Sequence, residues 1–185
     1  MKLLASFFIF LFCVTLSTAQ QPVAEVVKYF QKKEVHDFGI TTYFEIEIKI
    51  NNREGDIYAD IGIPFSTNKV NDLRAGIYTS SGEEIRKLKK KDIKTVSDIS
   101  DISLYEDSYN LEFSLRHNQY PYSIKYSYNT FLDTYVHIAH WSPAFYKNIP
   151  TLKSELIVEA PLSRNLFIQN SDGISYRKEE NDTKQ

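Results

Sequence analysis

Cysteine is almost missing from this chain of 185 residues: Cys13 is the only one. It falls inside a leading apolar segment, so the rest of the chain has no thiol for a disulfide, a zinc thiolate or a cysteine nucleophile. Tryptophan and methionine occur once each and glycine only six times. Charge of one sign is also missing: 22 Lys and Arg stand against 24 Asp and Glu, a net −2. So small an excess excludes a strong field toward nucleic acid or anionic lipid. No stretch of about ten residues carries a 3.6-residue period, which argues against long amphipathic helices. No internal repeat is visible. What the chain does have is 13 Tyr and 12 Phe, residues that fill the pleated, half-buried surface of a strand.

Residues 2–19, KLLASFFIFLFCVTLSTA, read as a secretory signal peptide. Lys2 gives a short positive start, Leu3 to Leu16 is nearly unbroken apolar sequence, and Ser17-Thr18-Ala19 offers small residues for cleavage after Ala19. The apolar run is shorter than the roughly 20 residues that span a bilayer. Lipidation of Cys13 is rejected, because Phe12 precedes it where a small residue is required. The expected compartment is therefore outside the cytoplasm: periplasm, cell surface or medium. About 165 residues remain, enough for one domain with a sizeable core held by apolar packing alone.

The organising stretch is Trp141–Pro161, WSPAFYKNIPTLKSELIVEAP. In its second half Leu152, Ser154, Leu156, Val158 and Ala160 alternate with Lys153, Glu155 and Glu159. Strand side chains alternate faces, so this reads as a strand with one dry and one wet side. Pro143, Pro150 and Pro161 punctuate it, since proline gives no N–H to a ladder.

Earlier in the chain, Gln20–Glu25 reads as a frayed entrance and Val26–His36 as a first strand whose phase Val26-Val27 blurs. Tyr43–Ile50 is the cleanest strand, with Phe44, Ile46, Ile48 and Ile50 opposite Tyr43, Glu45, Glu47 and Lys49. Asn51–Gly55 reads as a hairpin loop with Gly55 at positive φ, returning through Ile57, Ala59, Ile61 and Ile63 to Pro64. Lys69–Tyr78 places Leu73, Ala75 and Ile77 inward, and Ser80-Ser81-Gly82 turns the chain into Glu83–Leu88. A basic run at Lys87–Lys91 and an acidic one from Asp92 to Asp107 mark a solvated excursion. Leu111, Phe113 and Leu115 alternate, as do Tyr122, Ile124, Tyr126 and Tyr128. Phe131–His140 and Leu166–Ile168 read as further strands, and Ser171-Asp172-Gly173 as a turn. The fold class expected is all-β: two antiparallel sheets packed face to face over residues 20–176, with a closed barrel as the alternative. Residues 177–185 read as a loose charged tail, or the start of a linker.

Candidate chemistry is sparse. His137 and His140 are offset by three, which puts them on opposite faces of a strand, and no carboxylate completes a zinc set. Asp92, Asp98, Asp101, Glu106 and Asp107 could offer oxygens to calcium, but lack the turn glycine and ligand order of an EF-hand. No serine lies in a G-x-S-x-G elbow. Glu45 and Glu47 are close enough for a carboxylate dyad, yet alternate with Tyr43 and Lys49 as a wet sheet face does. Tyr122, Tyr126 and Tyr128, with Trp141, are the candidate stacking platform for a sugar or peptide, against the alternative that such a stripe is core. Asn181-Asp182-Thr183 fits a glycosylation sequon. No catalytic residue, cofactor or metal is expected.

Serial order adds a resemblance. Asp72-Leu73-Arg74-Ala75, Tyr78–Glu83 and Lys90-Lys91-Asp92-Ile93 come first, then Ser103–Asp107, Tyr122–Tyr128, and Trp141 with Phe145 leading to Ile149-Pro150 and Ser154-Glu155. Together with the turn at Ile50–Gly55, this order resembles a bacterial family of unknown function found ahead of transglutaminase-like domains in exported proteins. The likeness covers roughly Val26–Pro161. It implies a β-rich exported module followed by a papain-like domain with a Cys, His and Asp triad. None of that triad maps onto a residue here, so the chain is either a piece of a longer protein or an accessory module alone. Two functions follow as expectations. One is a non-catalytic module that positions a transglutaminase-like domain, in the same chain or a partner, or its substrate. The other is a free-standing protein that binds glycan or extended peptide.

Overall fold

The computed structural model describes residues 21–66, 69–97, 108–133, 137–170 and 173–180. The leader, the acidic run from Asp98 to Asp107, most of the Ser171–Gly173 turn and the sequon at Asn181 lie outside the described residues. Among those described, the strands in chain order are β1 (Ala24–His36), β2 (Gly39–Ile50), β3 (Asp60–Phe65), β4 (Val70–Thr79) and β5 (Glu84–Lys87). After them come β6 (Lys94–Ser97), β7 (Tyr109–Ser114), β8 (Tyr122–Leu132) and β9 (Ser154–Glu159). They form an all-β sandwich: a six-stranded sheet in the order β5-β4-β8-β2-β1-β9 and a three-stranded sheet β3-β7-β6. Every neighbour is antiparallel except β9, which runs parallel to β1. No helix among the described residues is long and apolar enough to cross a membrane.

β2 shows why the sheet forms. Phe44, Ile46, Ile48 and Ile50 are all buried, while Glu45, Glu47 and Lys49 face outward. Outside, the charges are paired: Lys28 with Glu45 at 2.8 Å, Lys125 with Glu47 at 3.2 Å and Lys49 with Glu25 at 3.0 Å. Such exposed pairs each contribute under about 1 kcal/mol, so the apolar face decides the register. The blurred phase at Val26-Val27 is a register shift between Val26 and Lys28, one extra residue on β1 opposite β2.

The core lies between the sheets, where Ile46, Ile48, Ile77 and Ile124 meet Ile61, Ile63 and Phe113. Phe113 sets its edge toward the Tyr126 ring at 6.1 Å across the gap. The smaller sheet is too narrow to cover the larger. Trp141, Phe145 and Tyr146 pack against the same core, with Trp141 stacked on Tyr29 at 6.0 Å and Phe145 edge-on to Tyr29 at 5.0 Å. The main chain fixes this aromatic lid: Val26 N–H donates to Pro150 O and Leu152 N–H to Val26 O, both at 2.8 Å. The Trp141–Pro161 stretch thus closes the sandwich as well as supplying β9.

Several expected elements differ. Asn51–Gly55 is no hairpin, because β2 already pairs β1 on one edge and β8 on the other. With no free edge to return along, the chain turns through a 3-10 helical segment, Arg53–Ala59, and β3 joins the other sheet. Asn52 caps that segment, its Oδ1 accepting from the N–H of Glu54 and Gly55. Ile57, placed inward by alternation, is 65% exposed. Pro64 lies within β3 rather than ending it, tolerated because β3 is a sheet edge. Leu152 precedes β9 and is 61% exposed. β8 ends at Leu132, and the described residues His137–His140 form no strand. Leu166–Ile168 forms none either, and Phe167 is 93% exposed. At the entrance, Ala24 is already buried in β1.

Candidate functional site

The expected stacking platform is corrected by burial. Tyr122 is 1% and Tyr126 5% exposed. Tyr128 is half-buried with its ring stacked on Phe44 at 4.8 Å, and Trp141 is half-buried against Tyr29. β8 lies between β4 and β2, so its inner face is core. Tyr122 and Tyr126 are therefore core rather than platform, while Tyr128 and Trp141 keep part of their surface exposed at its edge.

Their burial carries a pH consequence. Burial pushes the Tyr128 hydroxyl up to about 12 and that of Tyr126 well above its ordinary value. The protonated phenol is the form the fold favours. Stability from Tyr128 is therefore complete below the unfolded value of about 10 and is lost as pH rises through its folded value. Urea unfolding is expected to show a loss on the order of 2 kcal/mol between about pH 10 and 12, reduced in Tyr128→Phe.

The other sequence candidates are dispersed. Glu45 and Glu47 each hold a separate lysine and form no dyad with one another. His137 and His140 are exposed. Among the described residues no group of three His, Cys, Asp or Glu could hold a metal ion. Of the acidic run, only Asp92 is described.

A different set does converge. The 3-10 segment supplies Arg53 and Asp56, β5 supplies Arg86, and the β7–β8 connection supplies Arg116, His117 and Tyr120. They line one open cleft of about 670 Å³ at the end of the sandwich where the two sheets exchange chain. Its floor is a carboxylate held by tyrosines: Tyr120 and Tyr122 hydroxyls donate to Asp56 at 2.7 and 2.9 Å. Burial and then this hydrogen bond push the Tyr122 hydroxyl far above its ordinary value. The His117 ring meets the Tyr122 ring edge-on at 5.7 Å. On the rim Arg116 grips Asp60 through Nε and Nη2, while Ser114 Oγ donates to the same carboxylate at 2.8 Å. Desolvation would raise Asp60, but the Arg116 and Ser114 hydrogen bonds outweigh it and hold it below the usual carboxylate range. Arg86 donates to the Ser114 carbonyl at 3.4 Å.

Three guanidinium groups give this arrangement the means to recognise negative charge. Both Asp56 oxygens accept from tyrosine, and no serine, threonine or cysteine lines the cleft. The sequence did not single these residues out, since they come from three elements far apart in the chain. One local signal was present: Asn52 followed by acidic Glu54 and Asp56 is the pattern of a helical N-terminus. Tyr122→Phe removes one of the two donors to a half-buried carboxylate and is expected to cost about 1–2 kcal/mol in urea unfolding. Tyr78→Phe, at a half-buried hydroxyl away from the cleft, serves as the reference.

Fold and cleft together define an all-β sandwich module with an arginine-lined recess. The chain belongs to the DUF3857 family, a domain of unknown function with a solved structure, whose profile matches residues 36–185. Among curated proteins, none matches. Among solved structures, a Parabacteroides distasonis protein described as a "putative protease" shares the fold with TM-score 0.61 and 11% identity. The match covers 76% of this chain and 29% of that one, so this chain spans under a third of that protein's length. A Legionella pneumophila protein described as a "putative nutrient binding protein" matches at 11% identity over 61% of this chain and 41% of that one. Its TM-score of 0.28 is too low for a shared fold to be argued.

Proposed function

We propose that this chain is a non-catalytic, exported β-sandwich module that positions a transglutaminase-like catalytic domain or that domain's protein substrate. The supporting observation is the relation to the Parabacteroides protein. There the same fold occupies less than a third of a chain described as a "putative protease", leaving most of that chain for other work. The leader at residues 2–19 supports export, and the serial order of motifs from Asp72 to Glu155 supports the transglutaminase-like neighbour. A cleft whose arginines stand beside a carboxylate already engaged by two tyrosine hydroxyls, with Ser114 Oγ on the rim committed to Asp60, supports a role without bond-making.

The test uses the transglutaminase-like domain encoded in the same reading frame or beside it, assayed with and without this module. Removing the module is expected to raise KM for a protein substrate by about tenfold while leaving kcat on a small peptide substrate unchanged. Identical kinetics in both forms, or no such domain encoded nearby, would overturn the proposal.

A further inference from the structure

The geometry points to the cleft at Arg53, Arg86 and Arg116 as a binding site for an oxyanion, a carboxylate or phosphate group carried by a small molecule or a peptide. Three observations carry it independently of the accessory-module reading. The first is charge. The chain as a whole is at −2, yet this recess gathers three guanidinium groups against one carboxylate, Asp56. Even with Asp60 on the rim, positive charge exceeds negative. Like charges drawn from three separate elements repel one another, and an anion between them relieves that repulsion.

The second observation is the state of each acceptor already present. Asp56 accepts from Tyr120 through one oxygen and from Tyr122 through the other, so both its oxygens are already engaged by hydroxyls, and Arg116 feels its charge without a direct hydrogen bond. Asp60 takes Nε and Nη2 of Arg116 and leaves Nη1 outside that pair. A guanidinium held by one carboxylate is oriented for a second planar or tetrahedral acceptor, since its fork matches two oxygens at once. Asp60 is thus a positioning residue for Arg116.

The third is shape and rigidity. At about 670 Å³ the recess is of ligand size. Its walls rest on fixed elements. Asn52 caps the segment carrying Arg53 and Asp56, and the buried Leu115 next to Arg116 donates its N–H to Ala59 O at 2.9 Å. Asn118 and His117 add polar side chains beside the arginines.

The experiment titrates the purified full chain at low salt with inorganic phosphate, and separately with succinate, following amide shifts by NMR. Saturable binding that weakens as salt rises is expected, with amide shifts in the 53–60 and 114–120 segments. Arg53→Gln and Arg86→Gln are each expected to weaken it by about tenfold at unchanged thermal stability, both side chains being exposed. Response to phosphate alone identifies a phosphate ligand, and response to succinate alone a carboxylate. Asp60→Asn provides a second check: by charge alone, losing the rim carboxylate would strengthen anion binding, so the weaker binding expected identifies the loss of Arg116 positioning, and tighter binding would overturn that role. No saturation by about 10 mM of either anion, or unchanged affinity in both arginine variants, would overturn the site.

Discussion

Ile46→Ala is expected to destabilise the protein by about 2–5 kcal/mol, a fall in melting temperature of roughly 4–20 °C. Ile46 is fully buried on β2, the strand flanked on both edges by long partners. It sits opposite Tyr29 on β1 and Tyr126 on β8, two large rings too bulky to slide into the space that three lost carbons would leave. The cost is therefore lost transfer energy plus a cavity that does not collapse. Ile57→Ala is the matched control. Alternation alone puts Ile57 on the same dry face, but the 3-10 segment turns it outward, so its change is expected to stay within about 0.5 kcal/mol. Equal losses at the two positions would contradict the crossover between β2 and β3.

Gly55→Ala is expected to cost about 1–3 kcal/mol, the range of overpacking in a core. Left-handed backbone is not the reason, since Gly55 does not adopt a positive φ. A Cβ there would lie 2.3 Å from the Val23 carbonyl oxygen and 3.1 Å from Ile50 Cγ2. That carbonyl accepts from the Asn51 N–H at 2.9 Å and cannot move aside without breaking the contact that holds the chain entrance to the end of β2. Gly62→Ala is the reference, because a Cβ there meets nothing within 4 Å. Chemical denaturation of the two variants separates close backbone approach from a general glycine effect. A Gly55→Ala protein as stable as Gly62→Ala would sink the explanation.

Strands whose two faces differ were legible in the residues. Phe44–Ile50 alternates because one side meets the other sheet and the other carries ion pairs; in Tyr122–Tyr126 Lys125 pairs outward with Glu47, while Ser123 on that side is itself buried. What alternation does not encode is which edge a strand uses. Asn51–Gly55 has the composition of a hairpin turn, and only the double pairing of β2 makes a return impossible. Tyrosine in an alternating run is ambiguous for a related reason: its ring suits core and its hydroxyl suits a rim. At Tyr122 both are true, with the ring buried and the hydroxyl reaching Asp56 at the cleft. The arginine recess was out of reach because Arg53, Arg86 and Arg116 become neighbours only once the 3-10 segment, β5 and the β7–β8 connection meet at one end of the sandwich.

The proposal that this module makes and breaks no bonds of its own is tested most directly by incubating the homogeneous chain with protein, peptide and isopeptide substrates and following product by mass spectrometry. No product above the buffer blank is predicted, at any pH between about 5 and 9, the span over which histidine and carboxylate pairs catalyse. Turnover that persists through purification and disappears in His117→Ala or Asp56→Asn would contradict it, and would make the cleft an active site.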